Sequence, residues 1–247
     1  MDRAWDTEDA GDDFVPGFLA PGFRILKNRL GPDYPRVLLI LGNDDPAHTE
    51  EDLAVGEGEG LWEYIHRKTV DWAGFEVRGY NCVPPTPFML KDWERYDVSR
   101  FVDPGCISPE EGRRSDGLTE REIRWATIAG ELDELAGDDD QARTIWLFHT
   151  PPHGTGLDLA DLGGKSVDHV PLDPQVGSIA VARFIEERQP LVTLHGHIHE
   201  AVRMSGRWRE KLGRTHAFAG AHHGPELALV RFDPSDPAGA TREIVPV

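Results

Sequence analysis

The chain has 247 residues, 39% of them hydrophobic and 9% aromatic, which is enough to bury one sizeable core in one domain with long loops. Its formal charge is -18, and no basic stripe is present to neutralise phosphates, which excludes a general nucleic-acid or anionic-membrane binder. No apolar run approaches a bilayer span, the acidic start MDRAWDTEDAGDD excludes a secretory signal, and the two cysteines, Cys82 and Cys106, read as free thiols of a cytoplasmic protein.

Residues 1–13 read as an acidic lead-in, and residues 14–247 as one domain. GFLAPGFRILKNRL predicts a helix ending at Gly31, where Pro32 and Pro35 stop it. RVLLILG, 36–42, is a continuous apolar run, as expected for a buried strand, and it stops in the turn signal NDDP. Alternation around AG predicts a hairpin from 64–71 and 75–80. Residues 81–117, rich in Pro, Gly and charge, form a long loop, and loops of that length are often functional. LTEREIRWATIAGELDELA has helical spacing, with Thr119 and Glu122 set as a capping box. TIWLFH, 144–149, is the next buried strand. A second loop, 150–177, leads to a helix at 178–188. PLVTLHG is a third buried strand, and shorter strands are expected near 202–208, 214–219 and 226–232. Strands alternating with helices, then a strand-rich end, argue for an α/β (α+β) fold with mixed sheets.

All three buried strands end in residues able to hold a metal or move a proton: LLILGNDD, IWLFHTPP and VTLHGHIH. In α/β sheets ligands collect beyond the carboxyl ends of strands, so Asn43, His149, His197 and His199 are expected at one edge. Imidazole nitrogen with amide oxygen suits borderline divalent ions such as Mn, Fe, Zn or Ni. Gly42 and Gly196 let the backbone turn sharply beside them.

GNDD, then a histidine ending a strand, then GHIH, in that order, resembles the calcineurin-like metallophosphoesterases, from about residue 36 to the C-terminus. GNDD and the NCVPPTPF loop are similar to a prokaryotic subgroup of that family. The resemblance implies two mixed β-sheets packed face to face with flanking helices. It also implies hydrolysis of a phosphomonoester or phosphodiester by a hydroxide bridging two divalent ions. On it, Asn43, His149 and His197 hold one ion and His199 reaches the other. Asp44 stands where most of the family has a leaving-group histidine, and Asp45 where the family's orienting acid lies. An ionised carboxylate at position 44 donates no proton, and it could orient a water or another donor instead. The family's opening D-x-H and its strand-borne G-D are absent, so ligands for mainly one ion remain and the N-terminal strands of the domain are expected to be missing.

Other candidates carry bland readings beside functional ones. His195 reads as packing behind a ligand, and His222 and His223 as support for the site. His153, His169, Arg113 and Arg114 read as solvated loop residues, and Asp138–Asp140 as a solvated turn. The expectation is a metallophosphoesterase acting on a small phosphorylated substrate, with a homo-oligomer left open. Two rivals stand beside it. One is a binding scaffold derived from the same fold, and the other is a single-metal hydrolase using His149, His197 and His199.

Overall fold

The computed structural model describes residues 14–164, 166, 167 and 169–246, so the lead-in expected at 1–13 lies outside the described residues. The fold is α+β, built on a mixed six-stranded sheet. Helix α1 (Ala20–Leu30) is preceded by a π-helical turn, Val15–Leu19. Pro16 and Pro21 both lie in this stretch, and each removes one N–H from the regular ladder. β1 is only Leu38–Leu39, not the whole run 36–42, because its single partner is the equally short β2 (Glu63–Tyr64) beyond helix α2 (Thr49–Gly58).

The expected hairpin forms as β3 (Thr69–Trp72) and β4 (Phe75–Tyr80). Ala73 and Gly74, at φ 50° and 81°, make the primed turn that suits strand twist. The helix expected after Gly117 is two: α3 (Glu120–Trp125), with the capping box at Thr119 present, and α4 (Ile128–Ala136). Thr127 breaks the run by taking an extended conformation, bridging to Tyr96 and capping Gly130 N–H. β5 is Thr144–Phe148, and a small pair, β6 (Ser166–Val167) and β7 (Val170–Pro171), lies within the second loop. Helix α5 (Ile179–Arg188), capped by Ser178, leads to β8 (Val192–His195).

The strand expected near 202–208 is instead a short helix, α6 (Ala201–Ser205), closed by Gly206 at φ 71°. Its neighbour β9 (Arg209–Leu212) takes the edge position, paired with β10 (Thr215–Ala219). A closing hairpin, β11 (Leu227–Asp233) and β12 (Asp236–Val245), ends the described chain.

Strand order in the main sheet is β3-β4-β5-β8-β10-β9, with β4, β5, β8 and β10 parallel and an antiparallel strand at each edge. Period-two alternation divides the sheet's side chains between two layers. Trp146 and Phe148 of β5 pack on α4 and α5 through Ile128, Leu132, Val181 and Phe184. Ile145, Val192 and Phe218 face the other way, onto Leu38 and Ile40 beside β1 and onto Val230, Phe232 and Ala240 of the last hairpin. The second sheet expected opposite the first is therefore present as two separate two-stranded pieces among the described residues.

The long loop 81–117 is anchored from within. Lys91 and Glu94 are wholly buried, with Lys91 Nζ 2.6 Å from Glu94 Oε2. Asp92 accepts from Ala47 N–H at 2.7 Å and from Ser115 N–H at 2.6 Å, so the loop is tied to the NDDP turn.

Candidate metal centre

The parallel strands β5 and β8 run side by side and both end at the same edge of the sheet, with Phe148 paired to His195. His149 follows directly, its N–H donating to Tyr80 carbonyl, and Gly196 N–H donates to His149 carbonyl. The chain leaving β1 reaches the same edge, since Leu41 N–H donates to Asn81 Oδ1 at 3.1 Å, just past the end of β4. Three segments distant in sequence thus arrive together for reasons of sheet topology alone.

Two glycines shape the space around His149. A Cβ at Gly42 would lie 2.8 Å from His149 Cε1 and 3.0 Å from Nε2, closer than real contacts allow. At Gly196 the same atom would sit 3.4 Å from His149 Nδ1, an ordinary contact. Gly42 is required for the close approach; Gly196 is merely compatible with it.

His197 adopts φ 67°, and Ile198 N–H donates to Gly196 carbonyl at 2.8 Å, which makes His197 the centre of a γ-turn of the rare, strained hand. Strain of this kind persists only where the surroundings over-determine it. Here it delivers the imidazole inward. Nε2 of His149 lies 2.9 Å from Asn43 Oδ1, and Nδ1 of His197 lies 2.8 Å from the same oxygen. The two rings are 5.1 Å apart between centroids.

The amide's orientation is fixed from its other end. Asn43 Nδ2 donates to Asp44 Oδ1 at 2.9 Å, and an ionised carboxylate can only accept, so the oxygen faces the imidazoles. Asp44 itself is exposed. Asp45 serves the backbone: its Oδ2 accepts from Gly42 N–H at 2.7 Å and staples the 42–45 turn. Burial pushes the Asp45 carboxyl up, against the Gly42 hydrogen bond that holds it down. Trp93 Nε1–H, donating to Asp45 carbonyl at 2.8 Å, brings the long loop to this turn.

Burial holds His149 well below the usual imidazole range, with His197 and His199 adding to the effect, and holds His197 down to about 4, with His199 again contributing. Both are neutral at pH 7, the state in which imidazole binds a metal. His195, expected to pack or to support a ligand, is buried, stacked on Phe148 at 5.8 Å, and bonded to Thr150 carbonyl through Nδ1 at 2.9 Å. A carbonyl only accepts, so Nδ1 carries the proton and Nε2 accepts from Thr193 Oγ1 at 2.8 Å. The Thr150 bond ties the ends of β5 and β8 together just behind His149 and His197.

His199 is exposed at the mouth of a cavity that His149, His197, His222 and Glu226 also line. Glu226, unmarked by any sequence signal, is held by His222 Nε2 at 3.2 Å. The other candidates lie in different bonds: His153 faces Asp158 at 3.7 Å, Arg114 pairs with Asp116, and Asp139 pairs with Arg78. Asn81 and Trp93 escaped the sequence reading because nothing in NCVPP or LKDWE marks a residue that braces a distant turn.

The donor set decides how many ions these residues fit. Asn43 Oδ1, His149 Nε2 and His197 Nδ1 converge, and with the protons of the two rings on their other nitrogens they would make three neutral donors for one borderline cation. Toward a second ion the described residues offer His199 alone, and among them no group of three or more His, Cys, Asp or Glu side chains could hold a metal. The described residues therefore bring three neutral groups together without forming a group of three His, Cys, Asp or Glu side chains.

No protein-family model matches the chain, and no curated protein matches it. Solved structures do. One crystal structure superposes with a TM-score of 0.55 at 18% identity, covering 94% of this chain and 73% of that one. The crystal structure of TT1561 of Thermus thermophilus gives a TM-score of 0.52 at 20% identity, covering 92% of this chain and 78% of the other. At these identities the likeness is one of fold. No helix among the described residues is long and apolar enough to cross a membrane.

Proposed function

We propose that this chain is a metal-dependent phosphoester hydrolase of the metallophosphoesterase type, acting on a phosphomonoester or phosphodiester, with one divalent ion held by Asn43, His149 and His197. A single observation carries the reading: two neutral imidazole nitrogens from separate strand ends meet one amide oxygen at 2.9 and 2.8 Å. Two hydrogen bonds to one amide do not by themselves need a strained turn at His197, a glycine against His149 and a carboxylate orienting Asn43. Convergence on a cation does.

A divalent ion in this position supplies Lewis-acid chemistry, polarising a phosphoryl oxygen. The chain's own residues do the rest. Asp44 turns the Asn43 amide, His195 locks the two strand ends, and exposed His199 offers a ring nitrogen to a substrate oxygen at the cavity mouth. Asp44, acceptor-only when ionised, serves as an orienting group and not as the acid.

The test is metal content per chain after loading with Mn²⁺ and removing excess, with hydrolysis of p-nitrophenyl phosphate and its bis-ester followed alongside. The expected result is one ion per chain, lost in Asn43→Ala, with Mn²⁺-dependent turnover. Retention of the ion in Asn43→Ala would point to the all-histidine site. A tightly held ion without turnover would favour a binding scaffold, the reading that the lack of an anionic ligand beside the three donors supports among the described residues.

A further inference from the structure

The central strands β5 and β8 are covered unequally. On the helix side Trp146, Phe148, Thr193 and His195 are buried; on the opposite side Ile145 and Val192 are buried as well, but Leu147 and Leu194, toward the carboxyl ends, are half-buried. Parallel strands in the middle of a sheet are normally buried on both faces. Above these two leucines lies a cavity of about 480 Å³ with Ile40, Phe218, Ala228 and Val230 in its walls, ending at His149 and His197.

Two of the elements that line this trough belong to strands paired on one side only. On one side β1 pairs with β2 alone, and Ile40, the next residue, makes no backbone–backbone hydrogen bond among the described residues. On the other side β11 pairs with β12 alone, so alternate residues of β11 turn their N–H and C=O away from the ladder. An apolar floor between two open edges suits an extended strand, whose alternate side chains meet the floor while its backbone serves the banks. A helix would fill the floor and leave the edges unpaired.

We infer that the trough docks one strand of a partner polypeptide, with β-branched apolar residues at alternate positions and basic residues between them. The strand pairs with β1 and β11 and joins the two pieces of the second layer into one sheet. The chain's own formal charge of -18 favours a basic occupant. The same charge argues against a second copy, and the run MDRAWDTEDAGDD is acidic and poor in β-branched residues. The inference does not rest on the metal reading, since a chain that binds no metal still presents the floor and the edges; the trough is, however, part of the cavity that His149, His197 and His199 line, so a docked strand would cover the candidate centre.

The probe is a labelled synthetic peptide of alternating valine and lysine, seven residues long like β11, titrated into the 247-residue protein. Expected are saturable one-to-one binding below about 100 µM and slower amide exchange at Ile40 and across 227–233. A peptide with its central valine changed to proline should bind at least about tenfold more weakly, because proline cannot donate to a ladder. Ala228→Phe, which fills the trough, should weaken the normal peptide by a similar factor; if that variant misfolds, the exchange pattern in the parent protein decides alone. Equal binding of both peptides, which would mean charge attraction only, overturns the inference, as does no saturation by about 1 mM. Protection of the same amides without peptide also overturns it: in a dimer the occupant is a second copy, and if lost on deleting residues 1–13 it is the chain's own start.

Discussion

At the scale of single residues, the candidate centre depends on atoms that are missing as much as on those present. Gly42→Ala places a methyl 2.8 Å from His149 Cε1, so the ring must move. That change should cost about 1–3 kcal/mol by overpacking and lower Mn²⁺ affinity at least about tenfold, read by urea unfolding and calorimetric titration. His197, at φ 67°, allows a sharper comparison. His197→Ala and His197→Gly both delete the imidazole, but only glycine takes the left-handed turn freely. The glycine variant should be the more stable of the two by about 1 kcal/mol; equal stability would remove the strain from the account. Two histidines also set a pH dependence. His66 accepts the Asn81 N–H at Nδ1, and burial, with Arg95 and Arg67 nearby, holds it at about 3; burial holds His195 at about 4. Each binds a proton in the unfolded chain near pH 6.5 and not in the folded one. Stability is therefore fully present above about pH 6.5 and lost as pH falls toward 4, by about 2 kcal/mol per histidine between pH 6.5 and 5. Urea midpoints at pH 7 and pH 5 measure the loss, and His66→Gln should remove its share. Asn43, His149 and His197 were legible because each follows an apolar run and a chemistry-bearing residue there is exposed to the sheet edge. Asn81, Trp93 and Glu226 were not, because what they do depends on partners that the local sequence does not mark.

At the scale of elements, the loop 81–117 behaves as an ordered insert bolted to the NDDP turn. Asp92→Ala would leave Ser115 N–H without its acceptor and Ala47 N–H with only the longer bond to Ser115 Oγ, at 3.1 Å. The expected cost is about 2–4 kcal/mol, or a fall of about 5–10 °C in melting temperature, with faster proteolysis between residues 81 and 117. An unchanged melting curve would mean that Lys91–Glu94 and the Trp93 bond to Asp45 hold the loop without Asp92. Elements whose signal was local were read correctly from sequence: the AG hairpin turn, the Thr119 capping box, the apolar runs of β5 and β8. Those set by a remote partner were not. Thr127 breaks its helix because Tyr96 pairs with it, and β1 stops after two residues because β2 is no longer. The stretch 202–208 carries too few residues to separate a single helical turn from a strand.

Across the whole molecule, a layer of helices, the six-stranded sheet and two smaller strand pairs are held together by two apolar clusters on opposite faces of β5, and the chain leaving β2 bridges to β4 at His66 and Gly79. The composition and the strand–helix alternation were enough to indicate an α+β domain. They did not reveal that the second layer is split, since a gap between strands leaves no mark on the strands that flank it. Metal binding at the proposed centre acts on the stability of this entire assembly. Saturating Mn²⁺ at about a hundred times its dissociation constant should stabilise the protein by about 2.7 kcal/mol, and Asn43→Ala should abolish that shift in thermal melts.

The three donors also have a history in time. Asn43 is 106 residues from His149 and 154 from His197 along the chain. Closing loops of that size is slow, and the donors meet only after β5 and β8 have found each other through the α5 crossover. A metal therefore cannot template folding; it can only lock a structure already formed. Mn²⁺ should leave the refolding rate nearly unchanged and slow unfolding instead, placing the whole of the stabilisation in the lifetime of the folded chain.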